Sequence, residues 1–302
     1  MLSDGPLLEV HLGVDYPNQP NALREVVFSL QPGEVMGLVG ESGSGKSTIA
    51  LALLGLLPWK GGRPTGHVLF AGRDLLTESE PELRRVRGRE IGLVLQSPLA
   101  SLNPALRIGT QLGEAWRAHA RGDRNALNQA VGDSLARVGL PNDEEFRRRY
   151  PSQISVGQAQ RVLIAMAVMH SPLLLIADEP TSALDAVTHV EILDMLASLN
   201  RDLGTAVLYI SHDLQSVVSV CQRVAILQAG TIVEQGRTDV VLSAPRHPYT
   251  QQLVSCAPWL RWWLEQSQAG KSRRPRRGVR DVFPAPVPAY AGLKSPYQRP
   301  MG

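Results

Sequence analysis

"GESGSGKST", residues 40–48, decides the fold. Gly40, four intervening residues, then Gly45, Lys46 and Ser47 make a phosphate-loop pattern. "EVMGLVG" (34–40) before it reads as a buried strand, and "KSTIALALLGLL" after it reads as an apolar helix. Strand, glycine loop and helix form the opening unit of a parallel α/β sheet. Glycines let backbone N–H groups wrap the β- and γ-phosphates, and the helix N-terminus adds a favourable dipole. Gly40, Ser42, Gly43, Gly45 and Thr48 belong to that cradle, Lys46 reaches the terminal phosphates, and Ser47 ligates Mg²⁺.

Further along, "LLLIADEP" (173–180) is a second apolar strand that ends in two carboxylates. Ligands of parallel α/β sheets sit at the carboxyl ends of strands, which brings Asp178 and Glu179 to the phosphates. Asp178 suits the Mg²⁺ shell, and Glu179 is placed to polarise an attacking water. Residues 8–16 and 25–30 read as strands, as do "AVLYIS" (206–211) and a hairpin "RVAILQAGTIVEQ" turning at Ala229-Gly230. Between about 97 and 170 the apolar residues fall at three- and four-residue spacing, which predicts a helical lobe inserted in the α/β core.

Bulk properties fit this reading. The 302 residues are 43% apolar and 20% charged, ordinary for a globular chain. The net charge of +3 is misleading, because "KSRRPRRGVR" (271–280) alone holds six positive charges and leaves the remainder at −3. A mildly acidic body argues against nucleic acid as a partner. The longest apolar run, "IALALLGLLPW" (49–59), is too short to span a bilayer, and "MLSDGPLLEV" does not read as a secretory signal. Cys221 and Cys256 match no metal spacing and fit a reducing compartment.

These pieces, in this order, resemble the ATP-binding subunits of ABC transporters from about residue 8 to 250. That family's fold is a RecA-like phosphate-loop core with an inserted helical subdomain and a peripheral antiparallel β region. The resemblance implies an ABC ATPase domain over 1–240, a C-terminal helix over 241–265 and a basic, proline-rich, extended tail over 266–302. It implies ATP and Mg²⁺ as cofactors, and it gives further residues their roles. Gln96 in "LVLQSPLASLNP" resembles the glutamine loop that reaches metal and attacking water and links to the membrane partner. His212 in "YISHDL" resembles the switch histidine on the γ-phosphate, and Tyr16 either stacks on adenine or serves packing. Ser155, Gly157 and Gln158 in "ISVGQAQR" resemble the signature that completes the other subunit's site, with Asp185 in "SALD" at the dimer seam. "LQSPLASLNPALRIGTQLGE" and "HPYTQQLVSCAP" narrow the resemblance to subunits that power bacterial uptake of oligopeptides, dipeptides and nickel.

From this follow the expected partners: a second ABC ATPase, two integral-membrane permeases and an extracytoplasmic substrate-binding protein, with this chain peripheral on the cytoplasmic face of the inner membrane. A soluble ABC-type assembly ATPase of a phosphonate-degrading complex is the alternative, since it shares the "HPYT" ending. With no cysteine after Cys256, no iron–sulfur cluster is expected in the tail. Trp259, Trp262 and Trp263 beside arginines suit contact with a membrane surface, but the expectation is a solvated tail packed by a few aromatics. One departure stands out. Val156 replaces the signature's first glycine, adding a β-branched side chain and removing access to positive φ. The expected consequence is a heterodimer with unequal sites, the slower one built on the partner's phosphate loop; the alternative is a valine tolerated without effect.

Overall fold

The computed structural model describes residues 5–257 together with 259 and 260. The expectations for the 266–302 tail and for Trp262 and Trp263 lie outside the described residues. Two sheets carry the architecture. One is antiparallel, in the order β2-β1-β4-β5, from β1 (Leu8–Tyr16), β2 (Gln19–Leu30), β4 (Arg63–Phe70) and β5 (Arg73–Asp74). The other has six strands in the order β10-β9-β3-β8-β7-β6. Its members are β3 (Val35–Val39), β6 (Ile91–Val94), β7 (Leu174–Asp178), β8 (Ala206–Ser211), β9 (Arg223–Gln228) and β10 (Thr231–Arg237). All of its pairings are parallel except the β9–β10 hairpin. Ala229 and Gly230, both at positive φ, make that hairpin's two-residue turn.

The central strands of the six-stranded sheet are buried on both faces, and this is why they read as unbroken apolar runs. Val35 and Val39, Leu175 and Ala177, and Val207 and Tyr209 face one cluster; Met36 and Leu38, Leu174 and Ile176, and Leu208 and Ile210 face the other. The second cluster also takes the inner face of the antiparallel sheet and helix α1 (Lys46–Leu53), which lies between the sheets.

The first cluster holds the inserted helices and those that follow them, while α1 and the short α2 (Glu80–Val86) pack on the second. After α2 and α3 (Pro98–Ser101) come α4 (Ile108–His119), α5 (Arg124–Arg137), α6 (Glu144–Arg148) and α7 (Val156–Val168). Ile108, Leu112, Val131, Leu135 and Phe146 join α7 residues such as Val162 and Ile164 there, so the inserted helices share a core with the sheet. Asp123 and Asp143 start α5 and α6 by accepting from Ala126 N and Phe146 N. α8 (Ala186–Leu203), α9 (Leu214–Val220), α10 (Thr238–Ser243) and α11 (Pro248–Ser255) complete the order, and Trp259 packs half-buried on the same cluster. Among the described residues no helix is long and apolar enough to cross a membrane.

Candidate active site

Four neighbouring parallel strands, β3, β8, β7 and β6, deliver the site from their carboxyl ends. The phosphate loop follows β3, His212 follows β8, Asp178 ends β7 with Glu179 next, and Gln96 lies two residues past β6. Four segments far apart in sequence thus meet at one sheet edge, the position from which α/β folds bind ligands.

The loop after β3 needs glycine at two points for steric reasons. A Cβ on Gly40 would stand 2.2 Å from the Leu227 carbonyl oxygen. Gly45 caps α1 at φ 111°, a conformation open to glycine, with Leu23 pressed against it. Lys46 is buried, and its ammonium donates to the carbonyl oxygens of Gly40 (2.7 Å) and Glu41 (2.9 Å). Burial lowers its pKa from the ordinary lysine range, while Glu179 and Asp178 oppose the shift. Among the described residues the buried Ser44 hydroxyl has no hydrogen-bond partner, an orphaned polar atom inside a phosphate cradle.

Across the sheet, Ser47 Oγ donates to Asp178 Oδ2 at 3.2 Å. Burial pushes the Asp178 carboxyl up; Ser47 opposes this, Glu179 adds to it, and Lys46 opposes it. A hydroxyl and a carboxylate converging beside a lysine form a hard-oxygen donor set, which fits Mg²⁺. Ser47 and Asp178 would hold that ion, and its charge would neutralise phosphate oxygens.

Glu179 is the centre of the arrangement. Its carboxylate accepts from Gln96 Nε2 at 2.9 Å and from the His212 Nδ1–H at 2.8 Å, one on each oxygen. Only 15% of its side chain is exposed, against 60% for His212. Its backbone sits at φ 46°, the left-handed region that non-glycine residues rarely adopt, and its N–H is tied to the Ile210 carbonyl at 2.9 Å. Such strain persists where the surroundings over-determine it, and here it fixes the carboxylate's direction. Two of about four acceptor positions on the carboxylate are used, which leaves room for a water whose proton it can take.

The remaining expected residues lie in two other places. Ser155 caps α7, its Oγ accepting from Gln158 N (3.1 Å), while Gln158 Oε1 accepts from Ser155 N (3.0 Å). Asp185 caps α8 through Val187 N (3.1 Å) and Thr188 N (3.0 Å). The two helix starts touch, since a Cβ on Gly157 would come within 2.6 Å of Thr188 Cγ2. Among the described residues no hydrogen bond joins this pair to the Lys46–Glu179 group. Tyr16 ends β1 half-buried against the second cluster, with Gly62 at its ring edge.

Val156 requires a correction. It is the first residue of α7, absent from the positions of positive φ, and 36% exposed. Glycine's extra conformational freedom is therefore not what this position uses; the valine matters through its exposed side chain alone. One further contact had no sequence signal: the Tyr249 hydroxyl, in "HPYT", accepts from the phosphate-loop N–H of Glu41 at 3.0 Å. The motif was visible, but nothing in a single sequence joins positions 208 residues apart.

Comparison with known proteins agrees with this geometry. Residues 23–182 match the ABC transporter family model, and residues 233–280 match the oligopeptide/dipeptide transporter C-terminal region. The chain is 42% identical to the oligopeptide transport ATP-binding protein OppD of Bacillus subtilis over 246 residues, covering 81% of this chain and 69% of that protein. It is 40% identical to the dipeptide transport ATP-binding protein DppD of Escherichia coli over 251 residues, covering 83% and 76%. Among solved structures, the dimeric cassette MJ0796 in a post-hydrolysis state with ADP and phosphate aligns with TM-score 0.66 at 26% identity, over 76% of this chain and 98% of that one. CbiO1 of Clostridium perfringens, part of a transporter complex, aligns with TM-score 0.71 at 25% identity, over 87% and 100%. The family match spans more than half of the chain and runs through Lys46, Gln96, Ser155, Asp178 and Glu179. The chain therefore belongs to the ABC transporter ATP-binding subunits, ATPases, and within them to the oligopeptide/dipeptide group.

Proposed function

We propose that this ATPase drives a bacterial importer of peptides from the cytoplasmic face of the inner membrane, with nickel or a related small solute as the other cargo its group accommodates. The observation that carries the catalytic part is the bracketing of Glu179 by Gln96 and His212 beside Lys46 and Asp178. Glu179 acts as general base on the attacking water. Lys46 and the loop N–H groups hold phosphates, Ser47 and Asp178 hold Mg²⁺, His212 meets the γ-phosphate and Tyr16 covers the adenine. Similarity to peptide import subunits over most of their length supports the cargo class.

Two permeases, a second ATPase and a substrate-binding protein are the partners of this reading. Leu95 and Leu99, which flank Gln96, are 44% and 45% exposed, and an apolar surface beside the glutamine suits a permease that senses the site. Residues 1–240 work as the ATPase unit with 97–170 as its helical subdomain, 241–265 as its C-terminal helix and 266–302 as a basic tail. Ser155, Gly157, Gln158 and Asp185 serve the partner ATPase's nucleotide across a dimer seam. Val156 makes that dimer unequal. The test is to tag the chain, extract it from native membranes in mild detergent and identify what accompanies it. Two polytopic proteins and a second ATPase support the importer. Recovery from the soluble fraction with enzymes attached overturns it.

A further inference from the structure

The C-terminal helix reaches back to the phosphate loop. Tyr249 is 5% exposed, with its ring in the first hydrophobic cluster beside Val241, Leu242 and Leu260. Its hydroxyl accepts from the Glu41 N–H at 3.0 Å. That N–H shares a peptide unit with the Gly40 carbonyl, which accepts from Lys46 Nζ at 2.7 Å. One peptide of the loop is thus gripped on one side by the catalytic lysine and on the other by a residue 208 positions away.

The mount behind Tyr249 is stiff. The Glu234 carboxylate on β10 accepts from the N–H groups of Arg246 (3.0 Å) and His247 (3.1 Å) just before α11. His247 Nδ1 caps the helix by accepting from Tyr249 N at 3.2 Å, Pro248 sits in the first turn, and Gln251 Nε2 donates to the Pro245 carbonyl at 3.0 Å. A buried aromatic body with a polar tip, held this way, delivers its oxygen to a fixed point.

We propose that Tyr249 is a positioning residue for nucleotide binding, holding the Gly40–Glu41 peptide of the phosphate loop in the orientation that nucleotide needs. This rests on the reading of the loop as the ATP site. The Lys46 ammonium has three N–H donors and spends two on the Gly40 and Glu41 carbonyls, so one is left for a phosphate while Lys46 and Tyr249 hold the peptide from its two sides. Without that hydroxyl the Glu41 N–H can turn away, and nucleotide must first restore the peptide's orientation, at a cost in affinity. Tyr249 touches neither Glu179 nor Ser47, so its effect falls on affinity and leaves the chemical step alone.

The test compares the full chain, Tyr249→Phe and Lys46→Ala by calorimetric titration with Mg·ADP, by KM and kcat for ATP, and by melting without nucleotide. Phenylalanine keeps the ring and removes only the oxygen. Loss of one neutral hydrogen bond, about 1 kcal/mol, raises Kd and KM about fivefold while kcat is unchanged. A lower melting temperature with unchanged Kd assigns Tyr249 a structural role only and overturns the proposal. A fall in kcat with unchanged KM overturns it as well. If Lys46→Ala binds Mg·ADP as tightly as the unaltered chain, the ATP-site reading fails, and the Tyr249 proposal fails with it.

Discussion

The strand ends at β3, β8, β7 and β6 and the helix starts at α7 and α8 solve different problems. At the strand ends, polar side chains bond to one another across the sheet: Ser47 to Asp178, Gln96 to Glu179, His212 to Glu179. At the helix starts, side chains bond to their own backbones: Ser155 with Gln158, Asp185 with Val187 and Thr188. The first group is a working constellation assembled within one chain. The second is a pair of capped helix ends whose leading N–H groups, Val156 and Gly157, lack intrahelical partners. On the proposed reading, such a chain holds one nucleotide by itself and offers the capped helix ends to another.

The sharpest way to break the comparison is Glu179→Gln. ATP turnover falls by about 10²–10⁴, the range expected for loss of a general base, while Mg·ATP still binds by equilibrium titration. A small change in turnover would move the base elsewhere. Val156→Gly acts on the other region, and turnover of the assembled complex rises severalfold in steady-state assays; an unchanged rate removes the claim of unequal sites. Ser155→Ala removes the cap of α7 and lowers unfolding stability by about 1 kcal/mol in urea titration.

The smallest effect concerns the cost of the site. Burial raises the pKa of Asp178, so this group stabilises the fold most at acid pH, and that contribution is lost as pH rises through its folded value. Asp178→Asn therefore raises the melting temperature of the nucleotide-free protein by about 1–2 °C near neutral pH, with a smaller gain near pH 4. An equal gain at both pH values would mean that the carboxylate's charge is not the cause.

Legibility in the sequence followed the same division. β3, β7 and β8 were plain because a sheet covered on both faces demands continuous apolar runs, and the phosphate loop names its own chemistry. β4 was not read, since Pro64, Gly66 and His67 break its alternation, and β2 begins at Gln19, well before its apolar part. Among the candidate residues, sequence named Glu179 but gave no hint of its left-handed backbone or of the two donors on its carboxylate. The valine at 156 was visible, yet its argument from positive φ fails because the helix has already begun there. Tyr249 shows the limit most clearly, because its partner is fixed only when β10 and α11 are folded against the loop.

The central claim is that Lys46 and Ser155 of this chain act on different nucleotides. The direct measurement is Mg·ADP affinity of the full chain, at a concentration where sedimentation shows a monomer, for Lys46→Ala and Ser155→Ala side by side. The account predicts that Lys46→Ala loses binding while Ser155→Ala keeps the affinity of the unaltered chain. Equal weakening by both substitutions would place the two residues on one nucleotide and contradict the account.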